Sequence, residues 1–367
     1  MTPSGISQSM GFTHELHGGR VVFGTGALAR LPAELAGHGW RRVLVLSTPG
    51  QVALAERVAG LLGPLCAGSH AGAAQHVPVD VVRAGLDAAR AVRADACVAV
   101  GGGSTIGLAK AIALRAGLPS AAIPTTYAGS EMTPLWGITE GGVKTTGRDP
   151  IVLPRLVLYD PELTRDLPPG ITIASGLNAL AHAIEGLWAP EASPLHRLIA
   201  EEGARAVAAA LRVLKADPRN PEGRAEALYG AWLCGTVLGN VLMGLHHQLC
   251  HVLGGAFSLP HAETHAVLLP HVAAFNAPAA PEATRAIARA LGATGASPAV
   301  ASSLSELVRS LDAPSSLREI GAPREGLGRV AERVAAAPYP NPVPVERAEV
   351  LALLERAWAG APPSPSC

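Results

Sequence analysis

The chain has 367 residues, 49% of them hydrophobic, with a formal charge of zero and a sequence pI of about 7.2. That length and apolar content suit two ordinary domains with buried cores and exclude a largely disordered chain. Balanced charge excludes a basic field for nucleic acid or a polybasic membrane patch, leaving small molecules and further copies of the chain as partners.

In chain order, MTPSGISQSM shows neither a charged n-region nor an apolar h-region, so no secretory signal is expected. Apolar stretches such as ACVAV and AVLL fall far short of the ~20 residues of a membrane span. The cysteines, Cys66, Cys97, Cys234, Cys250 and Cys367, are odd in number and lack CxxC spacing, which predicts reduced thiols in a cytoplasmic protein. Extended VVFG (21–24) and VLVL (43–46) lead to helical QVALAERVAGLLG and DVVRAGLDAARAVRA. Strand ACVAV (96–100), the turn GGGST, helical IGLAKAIALRAG and strand SAAIP (120–124) follow. This alternation predicts an α/β domain with a parallel, doubly wound sheet over residues 1–160. Residues 161–367 predict an all-α domain, with the boundary in LPRLVLYDPELTRDLPPG and a frayed GAPPSPSC tail. AEALYGAWLCGTVLGNVLMGLHHQLCHVLGG reads as a central helix buried on every side and broken by glycines, surrounded by amphipathic outer helices.

Two loops suit a nucleotide. GGGST joins a strand to a helix, so Gly102, Gly103 and Ser104 let a pyrophosphate approach the helix N-terminus. TTYAGSE supplies hydroxyls from Thr125, Thr126, Tyr127 and Ser130 at the carboxyl end of the next strand, where open α/β sheets bind ligands. Thr48 lies at the end of the strand VLVL, where a carboxylate would ordinarily hold a ribose, and its neutrality weakens a strict preference for NAD over NADP. Lys144, one of three lysines against 26 arginines, is a candidate for a cofactor hydroxyl or phosphate, as is Lys110 against the alternative of a solvated helix residue. Glu131 is expected to cap the next segment rather than to act in catalysis.

The remaining signal is histidine. Asn178 and His182 lie four apart, as do His247 and His251, and His261 follows in LPHAETH. Four residues is just over one helical turn, so each pair shares a helix face and two such helices can converge their imidazoles on one pocket. His265, four after His261, touches the same face; His271, after a proline at a helix start, is expected to be structural. His14, His17, His38, His70, His76 and His196 read as satisfied core or surface residues.

GGGST with AKAIAL, then PTTYAGSE, YDPEL, GLNALAHAIE, GLHHQLCHVLGG and LPHAETHAVLLPH, in this order, resemble the iron-containing (group III) alcohol dehydrogenase superfamily over nearly the whole chain. The resemblance implies a Rossmann-like N-terminal domain, an all-helical C-terminal domain in a dehydroquinate synthase-like architecture, a nicotinamide cofactor between them, and a homodimer. It also implies an iron or zinc site of one aspartate and three histidines, which fall on Asn178, His182, His247 and His261, with His251 lining the nicotinamide site. Position 178 is an amide here, Gly107 replaces a frequent aspartate, and LPHAETH replaces the commoner LPHGxxN. With PTTYAGSEMTPLWGITE and VKTTGRDP, these departures are similar to the branch that uses NADH or NADPH to reduce the carbon–carbon double bond of maleylacetate to 3-oxoadipate in aromatic compound degradation.

Loss of the one anionic ligand weakens a divalent site, while imidazoles and an amide can donate hydrogen bonds to a dicarboxylate. The expectation is therefore a vestigial metal pocket: Asn178, His182, His247 and His261 bind substrate, no metal is required, and His251, His247 and Tyr127 serve the enolate or its proton. A metal-dependent alcohol or polyol dehydrogenase of the same superfamily is the main rival, ahead of a dehydroquinate synthase-like lyase and a non-catalytic nucleotide-binding protein.

Overall fold

The computed structural model describes residues 12–293 and 298–364. The segment MTPSGISQSM, Cys367 and the end of the tail lie outside the described residues. Eight strands occur among them: β1 (Arg20–Phe23), β2 (Val43–Leu46), β3 (Cys66–His70), β4 (Ala96–Gly101), β5 (Ser120–Pro124), β6 (Leu135–Glu140), β7 (Val143–Arg148) and β8 (Leu156–Tyr159). Six form a parallel sheet in the order β1-β8-β5-β4-β2-β3, and β6 and β7 form a separate antiparallel hairpin. Helices α1 (Leu31–Gly37), α2 (Val52–Leu62), α3 (Val79–Ala91) and α4 (Gly103–Ala116) connect the early strands.

Side chains on the sheet alternate faces, so each strand feeds two cores. Val43, Val45, Val98, Val100, Ala121 and Ile123 enter one cluster with α1 and α2. Leu44, Leu46, Cys97, Ala99, Ala122 and Tyr159 enter the other. That second cluster continues without a break into α5 (Pro169–Trp188), α6 (Pro194–Ala216) and α7 (Pro221–Asn240). A third core joins α8 (Leu245–Phe257) and α9 (His261–Asn276) to α12 (Leu327–Ala336) and α13 (Arg347–Ala359), while α10 (Pro281–Leu291) and α11 (Pro298–Ser310) cover the rest. Among the described residues no single helix is long and apolar enough to cross a membrane.

Two local departures from the sequence reading matter. The expected central helix is two helices, α7 and α8, bent by 92° across the break at 241–244. Its cause is a carboxylate: Glu185 on α5 accepts the backbone N–H groups of Gly244, His246 and His247 at 3.1, 2.8 and 3.3 Å, which satisfies a new helix N-terminus at that point. Pro270 lies inside α9, so His271 is an interior helix residue rather than one at a helix start.

Candidate active site

The nucleotide side of the cleft is built from three strand ends. Gly102 precedes α4 with no side chain capping that helix; the Thr105 N–H turns back to the Gly102 carbonyl at 3.1 Å, and those of Gly103 and Ser104 are the ones offered to an anion. A Cβ at Gly102 would meet Thr126 Oγ1 at 2.8 Å; the loop closes here only because position 102 has no side chain. Gln51, which the sequence reading passed over, donates from Nε2 to Thr125 Oγ1 at 2.7 Å and ties the loop after β2, carrying Thr48, to the loop after β5. This glycine cradle at a helix N-terminus fits a dinucleotide pyrophosphate.

Lys110 is neither solvated nor free for a cofactor. It is buried, and Nζ donates to the Ser130 carbonyl, Thr133 Oγ1 and the Leu135 carbonyl at 2.5, 2.8 and 2.9 Å, with Ser130 Oγ at 3.3 Å. Burial pushes this ammonium down to about 7, against the opposing pull of Glu131. Ser130 accordingly anchors its loop to the core through both polar atoms. Glu131 does not cap a helix: it is buried, Oε1 accepts the Tyr159 hydroxyl at 2.9 Å, and burial raises its carboxyl above the ordinary range. Tyr127 leaves the catalytic set for a related reason. It is fully buried, and its hydroxyl accepts from Arg224 Nη1 at 3.1 Å, in a network where the same guanidinium reaches Thr172 and the carbonyls of Leu167 and Pro218.

The two halves meet at a glycine pair. Gly129, at a φ of +73°, lies so near Gly235 of α7 that a Cβ at 129 would stand 2.9 Å from the Gly235 Cα and 3.5 Å from His182 Nδ1. The nucleotide loop therefore rests against the histidine cluster.

Asn178, His182 and Glu185 lie on one face of α5, and α8 and α9 bring the other imidazoles to it. Glu185, three after His182 on the same face, is a site residue that no sequence motif marks. Its Oε2 lies 2.5 Å from His247 Nδ1, which fixes that ring and leaves Nε2 unpartnered. Burial alone would raise the Glu185 carboxyl; the His247 hydrogen bond and the neighbouring imidazoles outweigh it and hold it below the ordinary value. His182 stacks on His247 with ring centroids 5.1 Å apart, and burial, then His247, push it well below the usual imidazole range. Buried Asn178 Oδ1, His182 Nδ1 and His247 Nε2 all lack hydrogen-bond partners in the protein.

His261 stands further out. It stacks on His251 at 6.0 Å and meets His265 edge-on at 4.5 Å. Both His251 and His261 keep an exposed edge, and Lys144, reaching over Gly137 from β7, adds repulsion that disfavours their charged forms after burial and the other imidazoles. The structure thus places Lys144 at the histidine end of the cleft. His265 and His246 are fully buried inside the cluster, with His246 Nε2 and His265 Nδ1 2.9 Å apart.

The metal implied by the resemblance does not fit these residues. Among the described residues the His, Cys, Asp and Glu group whose ligand atoms come within 4.8 Å of one another is His246, Cys250 and His265, not His182, His247 and His261. Position 178 contributes a neutral amide in place of the one anionic ligand. The Asn178 amide and the His182 and His247 rings instead form a buried polar group with hydrogen-bonding capacity left for a ligand.

Comparison with known proteins agrees with this construction. Residues 18–161 match the model of the iron-containing alcohol dehydrogenase family, and residues 172–358 match its C-terminal counterpart. A maleylacetate reductase of Burkholderia cepacia is 55% identical over 346 residues, covering 94% of this chain and 97% of that protein. The crystal structure of maleylacetate reductase from Agrobacterium tumefaciens superposes with a TM-score of 0.92 at 48% identity, covering 96% of this chain and 100% of that one. The corresponding Rhizobium sp. strain MTP-10005 structure gives 0.91 at 49% identity, covering 96% and 99%.

Proposed function

This chain belongs to the iron-containing alcohol dehydrogenase family, and from that membership and the geometry of its site we propose that it reduces the carbon–carbon double bond of maleylacetate, with NADH or NADPH, to 3-oxoadipate. The observation that carries the reading is the pocket of unpartnered Asn178, His182 and His247 atoms where a metal-binding carboxylate is absent. The curated relatives bearing this activity, matched over 94–97% of the chain, support it.

A double bond conjugated to a ketone accepts hydride at its β-carbon, which a nicotinamide cofactor held at the glycine cradle would supply. An enolate results, which needs donors for its oxygen and then a proton at the α-carbon. Gly102, Gly103, Ser104 and Thr126 would hold the dinucleotide, together with Thr48 and Thr125. Asn178 and His182 hold one carboxylate, with His247 stacked on His182 and fixed in place by Glu185. His261 and Lys144 meet the other carboxylate at the mouth. His251, exposed at the cleft and stacked on His261, stays neutral and relays a proton from solvent to the α-carbon, taking one at one ring nitrogen as it gives up that on the other.

No metal enters this scheme. As part of the same reading, the enzyme is a cytoplasmic homodimer acting after cleavage of an aromatic ring; the four described cysteines are free thiols, in keeping with a reducing compartment. The test is a substrate panel, following NADH and NADPH oxidation with freshly generated maleylacetate beside NAD(P)-dependent oxidation of simple alcohols and polyols. Consumption of maleylacetate with 3-oxoadipate as product supports the proposal, and activity confined to alcohols overturns it.

A further inference from the structure

Outside the motif positions, the cluster holds two histidines that the scheme above leaves idle, His246 and His265. Both are fully buried. They are joined by a hydrogen bond of 2.9 Å between His246 Nε2 and His265 Nδ1, which leaves His246 Nδ1 and His265 Nε2 without partners. A hydrogen bond between two imidazole nitrogens requires a proton on one of them, so this pair cannot offer both lone pairs to a cation. Cys250 Sγ, 3.8 Å from His246 Nε2, packs against the same bond.

The direction of that bond follows from the two unpartnered atoms. If His265 donates, His246 is left with a buried, orphaned N–H. If His246 donates, it is left with an orphaned acceptor, and His265 carries its own proton on Nε2. Either direction leaves one buried N–H in need of an acceptor, and of the two rings it is His265 that also meets His182 and His261, so the second arrangement puts that N–H where a ligand in the cluster can accept it. His265 Nε2–H is then a neutral donor inside the cluster, its ring centroid 4.8 Å from His247 and 6.2 Å from His182. His247 differs: Glu185 occupies its Nδ1, so in the neutral ring Nε2 is an acceptor.

We propose that His265, aimed by His246, is a substrate-binding residue that donates from Nε2 to a carboxylate seated beside His182 and His247. This rests on the dicarboxylate reading of the pocket and assigns that carboxylate a donor that needs no proton from solution. His246 acts as the positioning residue. The pattern HAETH then has a purpose beyond His261: the second histidine, one turn on, reaches the inner end of the substrate.

The test uses two substitutions that separate the ring nitrogens. His265→Asn places an amide near Nδ1, keeping the bond to His246 and removing the pocket atom; His265→Gln places an amide nitrogen near Nε2. The expected result for His265→Asn is a KM for maleylacetate and an inhibition constant for adipate both raised about tenfold, as for loss of one hydrogen bond to a charged group, with the dissociation constant for NADH unchanged. His265→Gln should restore most of that loss. A wild-type KM in His265→Asn, or an NADH affinity that falls in step with the KM, overturns the assignment. Should neither variant fold, ¹⁵N-histidine NMR of the wild-type enzyme decides: adipate should shift the His265 Nε2–H resonance, and an unmoved resonance at saturating adipate refutes the contact. If the wild-type enzyme fails to reduce maleylacetate yet adipate binds and shifts that resonance, the substrate reading fails while the carboxylate seat stands.

Discussion

Replacing Glu185 with alanine should unfold the site from its centre. The carboxylate accepts the backbone N–H groups of Gly244, His246 and His247 and the ring N–H of His247, at 3.1, 2.8, 3.3 and 2.5 Å. All are buried, so alanine leaves four donors without partners; at about 1 kcal/mol each the loss is about 4 kcal/mol, within the range for breaking a buried pair from one side. Glu185→Gln keeps one acceptor oxygen: placed where Oε2 stands, it still receives the Gly244 and His247 N–H groups and forfeits the charge and the bond from the His246 N–H, a smaller loss of about 1–3 kcal/mol. Denaturant unfolding of the holoenzyme and both variants at one pH measures the difference, and circular dichroism reports whether α8 still forms. An alanine variant within about 1 kcal/mol of wild type would refute the reasoning, because it would mean that the bend between α7 and α8 does not depend on this carboxylate.

Other expectations follow from the same geometry. Gly235→Ala would set a Cβ 2.8 Å from the Gly129 carbonyl oxygen and 2.9 Å from its Cα, so the nucleotide loop must retreat. Stability should fall by about 1–3 kcal/mol and the KM for NAD(P)H should rise; an unchanged KM would show that the glycine contact does not set the loop. Burial lowers His246 to about 3 and His271 to about 4, so below the ordinary imidazole value of 6.5 the unfolded chain binds protons that the native protein refuses. Stability is therefore full above that value and declines as pH falls through the window toward 3–4; these two residues contribute about 2 kcal/mol of loss between pH 6.5 and 5.5, and a flat unfolding midpoint over that range would contradict their neutrality. His251→Ala should lower kcat by at least about tenfold with little change in KM if the imidazole delivers the proton; a pure KM effect would reassign it to binding.

Much of the fold could be read directly. The strands VLVL, ACVAV and SAAIP are short apolar runs bounded by turns, and β2, β4 and β5 stand on them to within one residue. CAGSH and LPRLVLY escaped notice as β3 and β8: the first is small and polar at the sheet edge, and the second sits in proline-flanked sequence that reads as a linker. In the site, the i,i+4 pairs identified Asn178, His182, His247 and His251 because helical spacing is a local property. Tyr127, Lys110 and Glu131 were misjudged because a polar residue in a ligand loop points inward or outward according to partners far along the chain, such as Arg224, Thr133 and Tyr159. Glu185 and His246 carry no motif of their own; their roles exist only once α5 meets the start of α8.

The central claim is that a pocket inherited from a metal-binding family holds a dicarboxylate without metal. It is tested most directly by the rate of NAD(P)H oxidation with maleylacetate in chelator-treated enzyme whose residual metal is quantified in the same sample. The account predicts an unchanged rate at metal contents far below one per chain. A rate that falls with chelation and returns in proportion to added iron or zinc would contradict it.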